Sequence, residues 1–349
     1  MRRRAAALAV PFSAVLLAVT SCGAIPEEWR TPAFMRSDEP EFDERLPTVT
    51  GDVGEEPDVE FPSIAPPGEQ ISGVAHRGAG EGALVRTDDM IVADIVDYQW
   101  TGEGEAEKTN STYDTGTPVL LELAQMNEEL TGSLADQPVG SRVVFNFPAQ
   151  DPAEAASMGQ PEPEPGDSVS IVDIRSRFGR GDVVPGEQTT DGGGDGLPTA
   201  PDPGHDRPEI TIPEDTDPPG GLESTRLIEG DGPEVEAEQQ LVVQYTGVTW
   251  NDGEVFDSTW DRGGAPATFP IGVGQVIEGW DEGLVGQKVG SRVMLTIPED
   301  LAYGEAAAES GSPEGTLVFV VDILGAVDSP PAPEPEASGE PEASAEPEG

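Results

Sequence analysis

The residues with the clearest chemical potential lie in the last third of the chain, and they are aromatic. Tyr245-Thr246-Gly247 precedes Asp252-Gly253-Glu254-Val255-Phe256-Asp257-Ser258-Thr259. Gly272, Val276-Ile277-Glu278-Gly279-Trp280-Asp281-Glu282-Gly283-Leu284, Val289-Gly290, Ala302-Tyr303-Gly304 and Leu317-Val318-Phe319 follow. Such a set offers a rigid apolar seat for a ring, with a few polar atoms to fix its orientation. Other chemistries lack their residues. The chain has one cysteine and two histidines, His76 and His205, both beside Gly- or Pro-rich sequence. They do not supply the ligand count of a zinc site, and no Ser-His-Asp arrangement is credible. No glycine loop leads into Lys and Ser or Thr to cradle a phosphate. Asp191-Gly192-Gly193-Gly194-Asp195 resembles the start of a calcium loop, but the closing glutamate is missing. No metal or cofactor is expected. The 68 acidic residues against 18 basic ones argue against nucleic acid as a partner, because phosphate neutralisation needs clustered Lys and Arg.

The elements that would position this set read as strands with one short helix. Leu241, Val243 and Tyr245 alternate with Gln244 and Thr246, the period of a strand covered on one face. Residues 292–297 and 317–324 give two more strands. Ile277, Trp280, Asp281 and Leu284 share one side of a short helix over 277–284. The expected fold class is α+β, a twisted antiparallel sheet wrapped on one short helix. A second such unit precedes it. Ile91 to Trp100 matches Leu241 to Trp250. Val139-Gly140-Ser141-Arg142-Val143 recurs as Val289-Gly290-Ser291-Arg292-Val293, and Val172-Asp173-Ile174 as Val321-Asp322-Ile323. Order and spacing are kept, which indicates an internal duplication.

From about Leu227 to Leu324 the motif string resembles the FKBP-type peptidyl-prolyl cis-trans isomerases. The resemblance implies that Tyr245, Phe256, Val276, Ile277, Trp280, Tyr303 and Phe319 line a proline pocket with Trp280 as its floor. It also implies that Asp257 and the Ile277 N–H sit at the rim, that the Tyr303 hydroxyl reaches a bound carbonyl, and that Arg262 contributes to substrate binding. On that reading Tyr245, Phe256, Asp257, Ile277, Trp280 and Tyr303 carry catalysis, with Val276, Phe319 and Arg262 as further substrate contacts. The chemistry fits the residues. Rotation about X-Pro meets a barrier of about 18–20 kcal/mol because amide resonance must break. The twisted amide is less polar than the planar one, so a dry aromatic pocket favours it without nucleophile, metal or proton transfer. Taken singly, Trp280, Phe319 and the tyrosines could equally be core residues.

Three departures from the family pattern stand out. A glycine is inserted at Gly263-Gly264, Ala267 replaces an aromatic residue, and the loop after Tyr303 is small and acidic, so one pocket wall is expected to be open and mobile. The first copy departs further. Ile95 stands for Tyr245, Thr109 and Asn110 for Phe256 and Asp257, and Leu130 for Trp280, and no Ala-Tyr-Gly follows Pro148. A silent scaffold is expected there.

The N-terminus reads as an export signal over residues 1–21, with Arg2, Arg3 and Arg4, an apolar run from Ala5 to Val19, and Val19-Thr20-Ser21-Cys22. That tetrapeptide resembles a lipobox. It implies a lipid on Cys22 and attachment to the extracytoplasmic face of the cell membrane. An ordinary signal peptide with an incidental cysteine is the competing reading. The expected order is then a spacer over 22–70 and a degenerate FKBP-like domain over 71–178. A Pro/Gly/Asp-rich linker over 179–221, the isomerase domain over 222–327 and an acidic Pro-rich tail over 328–349 follow. Expected partners are proline-containing segments of exported polypeptides and macrolide inhibitors. A slow proline-binding module or holdase is the alternative, and a spacer-mounted structural lipoprotein a third reading.

Overall fold

The computed structural model describes residues 42–79, 84–157, 163–305 and 307–329. Cys22, the expected export signal over residues 1–21 and the residues from 330 on lie outside them. A hairpin of β1 (Thr48–Thr50) and β2 (Asp58–Glu60) comes first. The first body then runs β3 (Ile71–His76), β4 (Met90–Gly102), β5 (Glu105–Ser111), α1 (Thr112–Thr115), β6 (Val119–Glu122), α2 (Glu128–Leu134), β7 (Arg142–Phe147), α3 (Pro152–Ser157) and β8 (Asp167–Phe178). The second runs β9 (Glu223–Ile228), β10 (Gln240–Thr249), β11 (Val255–Ser258), β12 (Ala267–Pro270), α4 (Glu278–Leu284), β13 (Arg292–Ile297), α5 (Ala307–Ser310) and β14 (Leu317–Val327).

Among the described residues each body is a six-stranded antiparallel sheet. The strand orders are β3-β7-β8-β4-β5 and β9-β13-β14-β10-β11, with β6 and β12 paired to β4 and β10. Even the irregularities repeat. The register slips at Val92/Ala93 in one sheet and at Val242/Val243 in the other, and again at Asp97/Tyr98 and Gly247/Val248. Bulges of this kind bend a strand and set its curvature, so both sheets curl around a helix in the same way. These are two FKBP-like α+β domains.

On the concave side of the second sheet, Leu241, Val243, Tyr245, Leu295, Phe319 and Val321 pack against Trp280 and Leu284 of α4. Ile277 is the N-cap of that helix rather than its first turn. Asp281 does not join its buried face. Its carboxylate instead accepts the N–H groups of Gly272 (2.6 Å) and Gly274 (2.8 Å), which fixes the loop leading to Val276.

Two expectations are corrected. Residues 42–70 were expected to form an extended spacer, and 179–221 a linker outside any core. Leu46, Phe42, Val49, Val59 and Phe61 instead cover the outer face of the first sheet with Trp100, Val144, Val169 and Ile171. Ala200, Ile210 and Ile212 do the same for the second sheet, against Leu227, Val248, Trp250, Met294, Val318 and Val320. Hence β10 is buried on both faces, with Gln244 and Thr246 as inaccessible as their apolar neighbours. The reason is compositional: Pro- and Gly-rich chain makes no core of its own, but its scattered apolar residues find one on the sheet beside it.

Each covering segment is caught by the same device. Arg142 and Arg292 are fully buried, each forked onto a buried aspartate. Nε and Nη2 reach Asp173 at 2.6 and 2.6 Å, and Asp322 at 2.6 and 2.8 Å. The spare donors take the incoming segment. Arg142 binds the carbonyls of Gly51 (3.0 Å) and Asp52 (3.1 Å), and Arg292 binds Asp202 (3.3 Å). The aspartates complete the latch by accepting Gly54 N–H (3.3 Å) and Val184 N–H (3.2 Å). A buried ion pair is tolerated only when its remaining hydrogen-bonding groups are satisfied. Burial opposes each arginine's charge, yet the aspartate more than offsets it and holds both guanidinium groups above the usual arginine range.

Candidate functional site

The second domain holds an open cavity of about 570 Å³ lined by Tyr245, Phe256, Asp257, Phe269, Val276, Ile277, Trp280, Tyr303 and Phe319, among others. Its floor is Trp280, presented by the first turn of α4. Three rings meet it edge to face: Phe269 at 5.2 Å, Tyr245 at 5.3 Å and Phe319 at 5.4 Å between centroids. Phe256 stands against Phe319 at 5.5 Å and 89°. Edge-to-face pairs set a positive ring edge on a negative ring face, which fixes the walls as well as burying them. Gly247 makes room for the last pair. A Cβ there would lie 2.7 Å from both Phe256 and Phe319.

The rim is polar on one side. Tyr245, on β10, donates its hydroxyl to Asp257, on β11. Arg262 pairs with the other oxygen of Asp257, and its Nη2 donates to the Tyr245 hydroxyl at 3.0 Å. The guanidinium also lies 5.4 Å from the centre of the Tyr245 ring, within cation–π range. Arg262 is thus bonded to Asp257 and to the Tyr245 hydroxyl at the rim and is not among the residues that line the cavity. Backbone pairing sets the spacing of this group. Tyr245 N–H donates to the buried Thr259 hydroxyl (3.0 Å), and Thr259 N–H to the Tyr245 carbonyl (3.0 Å).

Tyr303, which also lines the cavity, is 42% exposed. The chain beyond it makes the short helix α5, with Ala307 buried. Sequence reasoning missed Phe269 as a wall of the cavity. The signal was present in the alternation of Ala267 and Phe269 on a strand that pairs with Leu241 and Val243.

The model of the FKBP-type peptidyl-prolyl cis-trans isomerases matches residues 232–324, which contain the whole cavity. An FK506-binding protein of Streptomyces anulatus is 46% identical over 121 residues, 34% of this chain and 96% of that protein. The chain belongs to the FKBP-type family. Another FK506-binding protein, of Neisseria meningitidis serogroup B, is 45% identical over 106 residues, 30% of this chain and 95% of its own length. The solved structure of AtFKBP13 shares 38% identity, covering 31% of this chain and 94% of that one with a TM-score of 0.28. The matched domain is thus a peptidyl-prolyl isomerase domain.

The other FKBP-like domain has the same sheet without the aromatic set. Strand registers place Ile95 where Tyr245 stands, Asn110 where Asp257 stands and Ser170 where Phe319 stands. Asp97 replaces Gly247, so the space for two facing rings is closed as well as unfilled.

Proposed function

We propose that the isomerase activity of this chain resides in the cavity of the second domain. There the ring of a bound proline sits over Trp280, and the amide before it twists in apolar surroundings. The observation that carries this reading is the enclosure of Trp280 by Tyr245, Phe269 and Phe319. Such walls solvate a planar, polar amide poorly and a twisted one less poorly, which lowers the barrier by differential binding. Asp257, held by Tyr245 and Arg262, presents the only carboxylate of the paired rim. In the family's manner, the Ile277 N–H and the Tyr303 hydroxyl meet the carbonyls of the substrate.

The substrates proposed are X-Pro segments of exported polypeptides, where slow isomerisation limits folding. A lipid on Cys22 would keep the enzyme on the extracytoplasmic face of the membrane. Cys22→Ala should release it or block its maturation; a variant still processed and membrane-bound would remove that part of the proposal. Macrolides of the kind bound by the FK506-binding relatives are proposed as competitive ligands. The open side at Tyr303 favours a second reading, a domain that grips proline and turns it over slowly.

One experiment separates the two. A short X-Pro peptide is titrated into the full chain while exchange between its cis and trans resonances is followed. Shifts at Trp280, Tyr245 and Phe319 with accelerated exchange support the isomerase; the same shifts without acceleration support the binder. Shifts confined to the first domain would refute both.

A further inference from the structure

The loop over 259–264 carries Arg262, and it is held from two sides. Within its own domain, Gln244 Nε2 donates to the Gly264 carbonyl at 2.6 Å. From the other side comes the chain leaving the first domain. Gly181 N–H donates to the same Gly264 carbonyl at 2.8 Å, and Arg180 Nη1 donates to the Gly263 carbonyl at 2.9 Å. The Nε of Arg180 pairs with Asp88, in the turn that opens β4 of the first domain. The neighbouring turn is itself fixed: Asp182 accepts Gly179 N–H (2.7 Å) and pairs with Arg177.

The glycine inserted at Gly263-Gly264 leaves two adjacent glycines where this contact is made. Both residues have positive φ, +91° and +78°, a region that favours glycine. A Cβ on Gly263 would lie 2.8 Å from Arg180 Nη1, and one on Gly264 would lie 3.4 Å from Gly181 N. The departure from the family pattern thus coincides with the place where the first domain touches the second next to its rim.

We propose that the first domain positions the rim of the isomerase cavity through Arg180, whose guanidinium joins Asp88 to the carbonyl of Gly263, the residue after Arg262. The proposal rests on the reading of the cavity as the isomerase site. Arg180 is bonded to Asp88 and Gly263, neither of which lines the cavity, so it is a positioning residue. Fixing the 263 and 264 carbonyls restricts the backbone that carries Arg262. Arg262 in turn fixes Asp257 and the Tyr245 hydroxyl. A rim already ordered before substrate arrives loses less freedom on binding. Both partners of the Arg180–Asp88 pair are partly exposed, so salt screens them and the effect is moderate.

The test uses the full chain and an X-Pro peptide, comparing wild type, Arg180→Ala, Arg262→Ala and the double variant at low and high salt. Arg180→Ala should lower kcat/KM about threefold, chiefly through KM, with Tm unchanged. The loss should vanish in the Arg262→Ala background, a coupling that general loosening of the fold does not produce. High salt should lower wild-type activity more than that of Arg180→Ala. Unchanged kcat/KM in Arg180→Ala, or an equal loss with and without Arg262, overturns the proposal. Phe256→Ala serves as the control for the site. If it is impaired while Arg180→Ala is not, only the positioning role fails; if it is fully active, the cavity reading fails and this inference with it.

Discussion

Below the centre of each curled sheet, α4 places Trp280 and α2 places Leu130 at the same step of the helix. In α4 the flanking Gly279 and Gly283 are buried, and a Cβ on either would meet Ile297 or Leu295 at 2.3 or 2.8 Å. The helix therefore lies directly on the sheet, and its tryptophan is gripped by three rings. In α2 the matching positions are Glu129, which is exposed, and Ser133. Both domains keep the buried Arg–Asp latch and the threonine that pairs β4 or β10 with the following turn, at Ile95 N to Thr112 (2.9 Å) and Tyr245 N to Thr259 (3.0 Å). A scaffold and a site are thus separable here. The latch, bulges and strand order build the fold twice, whereas the cavity needs a further set of rings and glycines that only the second domain has.

The largest expected effects concern what the domains share. Arg142→Ala and Arg292→Ala each strand a buried carboxylate and should cost about 3–5 kcal/mol. Urea unfolding of the full chain should show the loss in one domain at a time. Arg292→Ala should abolish turnover by unfolding the site, while Arg142→Ala should lower it no more than the roughly threefold expected from losing the Asp88–Arg180 link; abolition by both would refute the assignment of the activity to the second domain. Next comes Trp280→Leu, which gives the second domain the floor of the first. A loss of about one to two orders of magnitude in kcat/KM is expected, each order being about 1.4 kcal/mol of transition-state stabilisation. Full activity in the folded variant would mean that Trp280 is only core.

A smaller effect tests the first domain alone. Burial, and then its bond to the Asp173 carboxylate (2.7 Å), pushes the Tyr113 phenol above the usual tyrosine range. A raised folded-state pKa gives stability that is complete below the unfolded value, near 10.0, and is lost as pH rises through the folded one. Tyr113→Phe should therefore cost about 1 kcal/mol at neutral pH and flatten the alkaline decline, read by urea titration at both pH values. An unchanged alkaline slope would show that another group controls it. The smallest change is Asp257→Asn, which copies Asn110 into the rim. It should lower kcat/KM about threefold, or about 0.7 kcal/mol, with little change in Tm. A larger loss would give the carboxylate more than an orienting part in the reaction.

The order of residues was enough to reveal the strands, the short helix and the duplication, because strand period and motif spacing are local properties of the chain; the resemblance to the family, not the period, supplied most of the cavity lining. Tyr245, Phe256, Trp280 and Phe319 could be named together because they match the motif of the family that the second copy resembles, while the first copy keeps the scaffold motifs without them. The sequence also showed one glycine inserted at Gly263-Gly264, without the contact it makes with Arg180 and Gly181. What tertiary structure decided are contacts between residues far apart in the chain. Residues 42–61 and 184–212 have no apolar period, so they read as spacer; they become covers only because the outer faces of the sheets offer Trp100, Val248 and Met294 to bury. Arg142 and Arg292 were legible only as part of a repeated motif; their burial depends on Asp173 and Asp322, which the next strand brings beside them. Arg262 turned out to support Asp257, and Arg180 to reach Gly263, because hydrogen bonds between loops depend on where strand register sets them. Local sequence specifies the elements here, while burial of polar and weakly apolar segments depends on partners that only the folded chain brings within bonding distance.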